Sequence, residues 1–174
     1  MGAPTGSVFI SYRRDDAPFA AHALYANLAR RFAEHQIFMD VQGGVHAGAE
    51  FADLVRDKVA RCDVLVAIIG PGWSQATDTQ GRLRLKLADD LVRVEISSAL
   101  RAKKRVMPVL VGGAVMPAKE SLPHDLQPLT RRNALKLSHE NFGDECVSLV
   151  RQIEHALIQA DGARYVRRMR GEAP

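Results

Sequence analysis

The sequence predicts an α/β domain of the doubly wound, flavodoxin-like kind. Its sheet is expected to hold five parallel strands in the order 2-1-3-4-5, with helices on both faces. Three observations predict this. Short β-rich runs alternate with helical patterns from Ser7 to Leu157, with no internal repeat. The most apolar run, Asp63-Val-Leu-Val-Ala-Ile-Ile69, reads as the sheet centre, covered on both faces. The first run, Ser7-Val-Phe-Ile-Ser-Tyr12, stops abruptly at Arg13-Arg14-Asp15-Asp16, as a buried strand does at a functional edge.

Taken in order, Ser7–Tyr12 is the first strand, preceded by Gly6. Pro18 suits the first turn of a helix that runs to about Glu34, with Phe19, Leu24, Leu28 and Phe32 as its buried face. Gln36–Val41 is the second strand, and the loop Gln42–Gly48 with its three glycines follows. Phe51, Leu54, Val55, Lys58 and Val59 carry a second helix to about Arg61. The central strand ends in the turn Gly70-Pro71-Gly72-Trp73, and residues 74–84 are a polar loop. A helix from Asp89 closes at Lys103-Lys104. Arg105–Val111 is strand four, with Pro108 placing it off-centre. Gly112-Gly113 breaks it. Residues 114–132, with Pro117, Pro123 and Pro128, are irregular with one helical turn, and Asn133–Leu137 is an edge strand. Phe142, Val147, Leu149, Val150, Ile153 and Leu157 make the last helix, whose pattern dissolves from about Asp161. The expected organisation is a lead over 1–6, a domain over 7–160 and a basic tail or linker over 161–174.

Composition narrows the function classes. A chain of 174 residues, 47% hydrophobic and 25% charged, is ordinary for one soluble domain. It holds no run of eighteen apolar residues and no signal-peptide pattern, so a cytoplasmic protein without a membrane span is expected. The net charge of +4 is concentrated in Arg101–Arg105 and in Arg164, Arg167, Arg168 and Arg170. No nucleic-acid module accompanies it, and a nucleic-acid partner is not expected. Cys62 and Cys146 read as small buried residues, and the histidines form no ligand cluster, so no metal is expected.

Glu95 is the oddity. At about 100° per residue, Leu91, Val92, Val94 and Ala99 share one side of their helix, with Arg93, Ser97 and Arg101 on the other. Glu95 falls inside the apolar arc, where a carboxylate is costly unless it is paired or lines a cleft. Either its head snorkels to water from the edge of the face, or it points into a crevice. Ligands of such folds bind beyond the carboxyl ends of the strands. The segments converging there are Tyr12–Asp16, Asp40–Gly48, Gly70–Trp73 and the start of the Glu95 helix. A phosphorelay receiver is excluded: Asp15 and Asp16 could serve as its acidic pair, but strand three ends in Ile69-Gly70-Pro71 without a phosphorylatable Asp. No dinucleotide or Walker glycine loop is present, and no nucleophile elbow.

Four stretches in register carry a resemblance to one family. Ser7-Val-Phe-Ile-Ser-Tyr-Arg-Arg14 resembles the opening motif of Toll/interleukin-1 receptor (TIR) domains, and Asp40–Gly48 resembles their BB loop. Cys62–Trp73 is similar to their third strand. Asp90–Leu100 is similar to the helix bearing the catalytic Glu of bacterial, NAD+-cleaving members. The resemblance implies an NAD+ glycohydrolase with Glu95 as the catalytic carboxylate and NAD+ as substrate, with no further cofactor. It implies that Arg13 meets the pyrophosphate, Tyr12 and Trp73 stack on rings, and Ser11 contacts the nucleotide. Asp40 and Gly43 belong to a loop acting as lid, although Asp40 serves equally as a turn-former. Leu91 stands where many active bacterial members have Trp, and the loop lacks the Arg-Asp-x-x-Pro-Gly of animal receptors. The alternative is a non-catalytic module associating with itself or other TIR domains through the 40–48 loop. A weaker third is a nucleoside deoxyribosyltransferase-like enzyme, which shares the crevice and the lone Glu.

Overall fold

Every β-run of the sequence is a strand of one parallel sheet ordered β2-β1-β3-β4-β5. The computed structural model describes residues 5–39 and 49–171, with the backbone alone for 49–51. The strands are β1 (Val8–Ser11), β2 (Ile37–Met39), β3 (Val64–Ile69), β4 (Arg105–Val111) and β5 (Leu135–Leu137). All six side chains of β3 are buried, because β1 and β4 flank it and helices cover both its faces. Pro108 sits in β4 opposite Ala67 of β3, and β5 begins pairing only at Val109. Its missing N–H thus falls outside the β4–β5 ladder.

Period-two alternation sorts the core into two layers. Val8, Ile10, Val64, Val66 and Ile68 meet α1 (Pro18–Leu28) and α4 (Phe142–Met169). Phe9, Leu65, Ala67 and Ile69 meet α2 (Ala49–Arg61) and α3 (Leu91–Arg101). The segment after β4, with its short 3-10 turns Lys119–Ser121 and Gln127–Arg131, adds Leu122, Leu126 and Leu129 to the second layer.

Several side chains lie elsewhere than the sequence reading puts them. Phe19 is 77% exposed and rests on Phe142, ring centroids 6.4 Å apart. It lies about 140° round the helix from Leu24, so the small Ala20 and Ala21 face the sheet with Leu24 and Leu28. The helix also ends at Leu28, and Phe32 is buried from the turn beyond it. Leu54 is exposed because Ala52, Val55 and Val59 take the inner face of α2. Ser97 is buried, although its side of α3 was expected to face water, because α3 packs against α2 as well as the sheet. Val147 is exposed, and α4 continues as helix past Asp161 to Met169. The Gln36–Val41 strand is shorter, its first residue closing a 3-10 turn, and Asp40 and Val41 lie outside the described residues.

Charge secures the far end of α4. The Asp161 carboxylate accepts from the Thr5 backbone N–H at 2.8 Å and the Thr5 hydroxyl at 2.7 Å. Arg164 bridges Asp161 and Asp63. Partial burial works to raise the Asp161 pKa, but the Thr5 donors and Arg164 outweigh it and hold the carboxyl below its ordinary value of 3.8. A carboxyl depressed on folding adds stability that is fully present above the ordinary value and is lost as pH falls through the folded one. Asp161→Asn is therefore expected to lower the unfolding midpoint slightly at neutral pH, by less than about 1 kcal/mol for so open a cluster. The difference should begin to shrink as thermal melts are carried below the ordinary carboxyl pKa and vanish below the depressed folded one.

Candidate active site

At the carboxyl end of β1 the chain buries four polar side chains together with the start of α3. Ser11, Arg13, Asp90 and Glu95 are each no more than 6% exposed. Asp90 begins the arrangement as N-cap of α3, its carboxylate accepting from the Arg93 N–H at 3.1 Å. Short acidic side chains suit this position because they satisfy an N–H the helix leaves orphaned and complement its dipole. The same carboxylate takes both arms of the Arg13 guanidinium, at 2.9 and 3.0 Å. Arg13 Nε donates to the Trp73 carbonyl at 2.9 Å. One guanidinium therefore ties together the loop after β1, the turn after β3 and the N-terminus of α3. Arg84 approaches Asp90 at 3.3 Å from the outside.

With its start pinned, α3 carries Glu95 back over the end of β1. Ser11 Oγ donates to Glu95 Oε2 at 2.6 Å, a short charge-assisted contact. Glu95 is 4% exposed and stands among the buried residues of α3, beside Val94 and Ile96. On the outer side, Arg93 is held by Asp125 at 3.1 Å and by the Lys86 carbonyl at 3.0 Å, so it is not the free solvent residue its position suggested.

The neighbouring turn is built around a second carboxylate. Asp16 accepts from the backbone N–H groups of Gly70 and Gly72 at 2.9 and 2.7 Å. A Cβ at Gly70 would collide with the Asp16 carboxyl, which explains a glycine there without a positive φ. The Asp15/Asp16 pair thus divides: Asp16 closes the β3 turn, and Asp15 is exposed beside Arg84.

The residues expected to form a site separate into four groups. Ser11 and Glu95 are brought into direct contact. Arg13 is adjacent, but its fork is filled by Asp90 and the Trp73 carbonyl, so the pyrophosphate role implied for it meets a guanidinium already committed inside the protein. Trp73 is 1% exposed and packs in the α2/α3 layer with its Nε1 unpartnered among the described residues; no ring face is offered to solvent. Tyr12 points into the opposite layer with Val8 and Ile10, edge-on to His22 at 6.2 Å. Strand alternation makes that unavoidable once Ser11 faces α3. Asp40, Gly43 and the whole 40–48 loop lie outside the described residues.

Asp90 is the residue that sequence reasoning passed over. Its N-cap position was legible as helix-start chemistry. Its pairing with a side chain 77 positions earlier was not. The two thiols offer no alternative nucleophile: burial pushes Cys62 up to about 12 and raises Cys146 as well. Among the described residues no group of His, Cys, Asp and Glu is arranged to hold a metal ion.

Comparison with known proteins bears on this geometry. The sequence profile of the TIR domain family matches residues 8–150. The chain is 31% identical over 160 residues to the NAD(+) hydrolase SARM1 of Danio rerio, a match taking in 90% of this chain and 21% of that protein. It thus spans about a fifth of that relative's length. Among solved structures, a metazoan TIR-STING receptor from C. gigas aligns over 90% of this chain and 41% of its own, with 19% identity and a TM-score of 0.46.

The Arg13–Asp90 pair generates a stability prediction. Removing one member of a buried ion pair leaves the other charge uncompensated, at a cost of about 3–5 kcal/mol. Arg84 and the Arg93 N–H stay beside Asp90, so Arg13→Ala is expected to lose less than that in urea unfolding. Arg13→Lys should recover only part of it, since an ammonium cannot reproduce the fork.

Proposed function

Because the chain belongs to the TIR-domain family, we propose that it is an NAD+ nucleosidase, cleaving the bond between nicotinamide and ribose with Glu95 as the catalytic carboxylate. The observation that carries the reading is the buried Ser11–Glu95 contact at the carboxyl end of β1, where ligands of doubly wound folds bind. The hydrolase activity in the name of the Danio rerio relative supports it.

The chemistry needs little from the protein. In NAD+ the nicotinamide ring is already cationic, so the C1′–N bond breaks with its electron pair moving to nitrogen and nicotinamide leaving as a neutral molecule. No general acid is required, unlike glycosidases that use a carboxylate pair. What needs stabilising is the oxocarbenium-like ribose. The Glu95 carboxylate would face that positive charge or grip the ribose hydroxyls, preorganised by its Ser11 hydrogen bond. Water then adds at C1′ and loses a proton, giving ADP-ribose, nicotinamide and one proton. If an adenine nitrogen attacks instead, the product is a cyclic isomer. The wider role we assign is bacterial defence or action as an effector in the cytoplasm. It rests on the likeness of the Asp90–Leu100 helix to that of bacterial members. In this reading residues 7–160 form the TIR unit, and the 40–48 loop, with Asp40 and Gly43, covers the substrate and meets other TIR domains.

A second reading has an observation of its own. Trp73 and Tyr12 are both buried, and Leu91 stands where the resemblance expects an aromatic residue one turn before the Glu, so neither of the rings the resemblance implies is offered for stacking. That favours a TIR module that associates without catalysis.

One assay separates the two. Concentrated protein incubated with NAD+ is expected to release nicotinamide, with the second product resolved by chromatography. Glu95→Gln should reduce release by about a hundredfold or more. Ser11→Ala should lower kcat with little change in KM, as loss of a group that orients the carboxylate does. Absence of nicotinamide from wild-type protein, even when clustered on beads, would leave the association module standing.

A further inference from the structure

At the amino end of the sheet, where Asp63 leads into β3 and Arg105 begins β4, the last turns of α4 stand over a hollow. The inner stripe of α4 packs on the sheet through Cys146, Leu149, Val150 and Ile153. At the same helical spacing it continues as Ala156, Ala160 and Ala163, then as Arg164, Arg167 and Arg168. Small and cationic side chains thus take the positions where packing residues would close the gap. All six line a groove of about 820 Å³, within the range of small-molecule sites.

Lys103, Lys104 and Arg105, which join α3 to β4, bring three more cations to the lining. Asp63 is the acid among the lining residues, and it is committed to Arg164 and to the Ser7 N–H at 3.0 Å. Lys104 is committed to the Ala60 carbonyl at 2.7 Å. Lys103, Arg105, Arg167 and Arg168 are exposed and have no ion pair among the described residues. The helix dipole favours cations at the ends of α3 and α4, but it does not require the two ends to converge. Lys103 is the second, independent observation. Its φ is 55°, and its N–H meets the Leu100 carbonyl at 3.1 Å while the Lys104 N–H meets that of Ala99 at 2.9 Å. Glycine takes this helix-ending position without strain. A lysine there is held at a conformational cost, and what it adds is a cation on the groove.

We propose that this groove binds a compact polyphosphate group. Four unpaired cations around one hollow call for several closely spaced negative charges, more than one carboxylate supplies. The guanidinium groups of Arg105, Arg167 and Arg168 suit phosphate oxygens, and Lys103 adds a point charge. No aromatic side chain lines the groove among the described residues, so nothing there would stack a base, and recognition falls on the phosphates. The wall formed by α4 stands without a ligand, because Arg164 ties the helix to Asp63 and Asp161. A soluble polyphosphate and a multiply phosphorylated lipid headgroup present the same chemistry. The groove lies at the end of the sheet opposite the Ser11–Glu95 contact. The proposal therefore stands or falls separately from the proposed activity.

Calorimetric titration of the full chain with inorganic tripolyphosphate tests it. Wild type is expected to bind one equivalent, with an affinity that falls as salt is raised. Lys103→Gly and the Arg167→Gln/Arg168→Gln double variant should each bind about tenfold or more weakly. Lys103→Gly should also melt at or above the wild-type midpoint, because glycine relieves the backbone there. Arg30→Gln/Arg31→Gln removes two exposed charges outside the groove and should bind as wild type does. Phosphatidylcholine vesicles with and without phosphatidylinositol bisphosphate identify the source. Phosphoinositide-dependent sedimentation that tripolyphosphate reverses assigns a lipid headgroup to the groove, and tripolyphosphate binding without sedimentation assigns a soluble polyphosphate. Absence of saturable tripolyphosphate binding at low salt overturns the proposal. So does an equal loss of affinity in the Arg30→Gln/Arg31→Gln control.

Discussion

The buried ion pair between Arg13 and Asp90 is the constraint on which the rest of the site depends. Taking both charges out of water costs several kcal/mol per ion, and the pair persists because its geometry recovers that cost. Two parallel N–H···O bonds join the fork to the carboxylate, the remaining Nε–H finds the Trp73 carbonyl, and the carboxylate also caps α3. A single apolar contact could hold α3 against the sheet, but it would not fix the rotation of the helix about its own axis. The bidentate pair does fix it, and rotation decides whether Glu95 meets Ser11 or turns into an apolar wall.

Around that clamp, the sheet edge is organised by carboxylates acting on backbone. Asp90 satisfies the first turn of α3, and Asp16 satisfies two N–H groups of the turn that ends β3. Both turns are thereby held without help from a ligand. Glu95 receives a side-chain hydroxyl, that of Ser11. This division gives the assignment of Glu95 a physical basis apart from the family resemblance. Asp16 and Asp90 are consumed by structure, whereas Glu95 interrupts an apolar helix face.

The sheet was legible because its information is local. Six consecutive buried residues in β3 and the abrupt end of β1 at Arg13 can each be read from a few adjacent side chains, and strand order follows from the alternation with helices. Glu95 was legible for the same reason, since a carboxylate within an apolar arc needs no partner to be noticed. What failed was non-local or depended on small residues. Phe19 outweighs Ala20 and Ala21 in any hydrophobic count, yet the alanines let α1 approach the sheet. Asp90 looked complete as a helix-start residue, which hid its pairing with Arg13. Tyr12 and Trp73 were aromatic and close in sequence to the site, but strand alternation and turn packing sent both into the core. The continuation of α4 past Asp161 escaped because its inner apolar face ends there, while Thr5, Asp63 and Arg164 hold it by charge.

The central claim is that the Arg13–Asp90 clamp sets the Glu95 carboxylate for cleavage of NAD+. The most direct test is nicotinamide release per folded molecule by an Arg13→Met/Asp90→Asn double variant beside wild type. Replacing both charges avoids stranding either in the core, and Asn keeps a capping oxygen for α3, so the fold should survive. The account predicts a folded protein whose release rate falls by about tenfold or more, because a small loss of register at Glu95 is costly to catalysis. Release at the wild-type rate would contradict it.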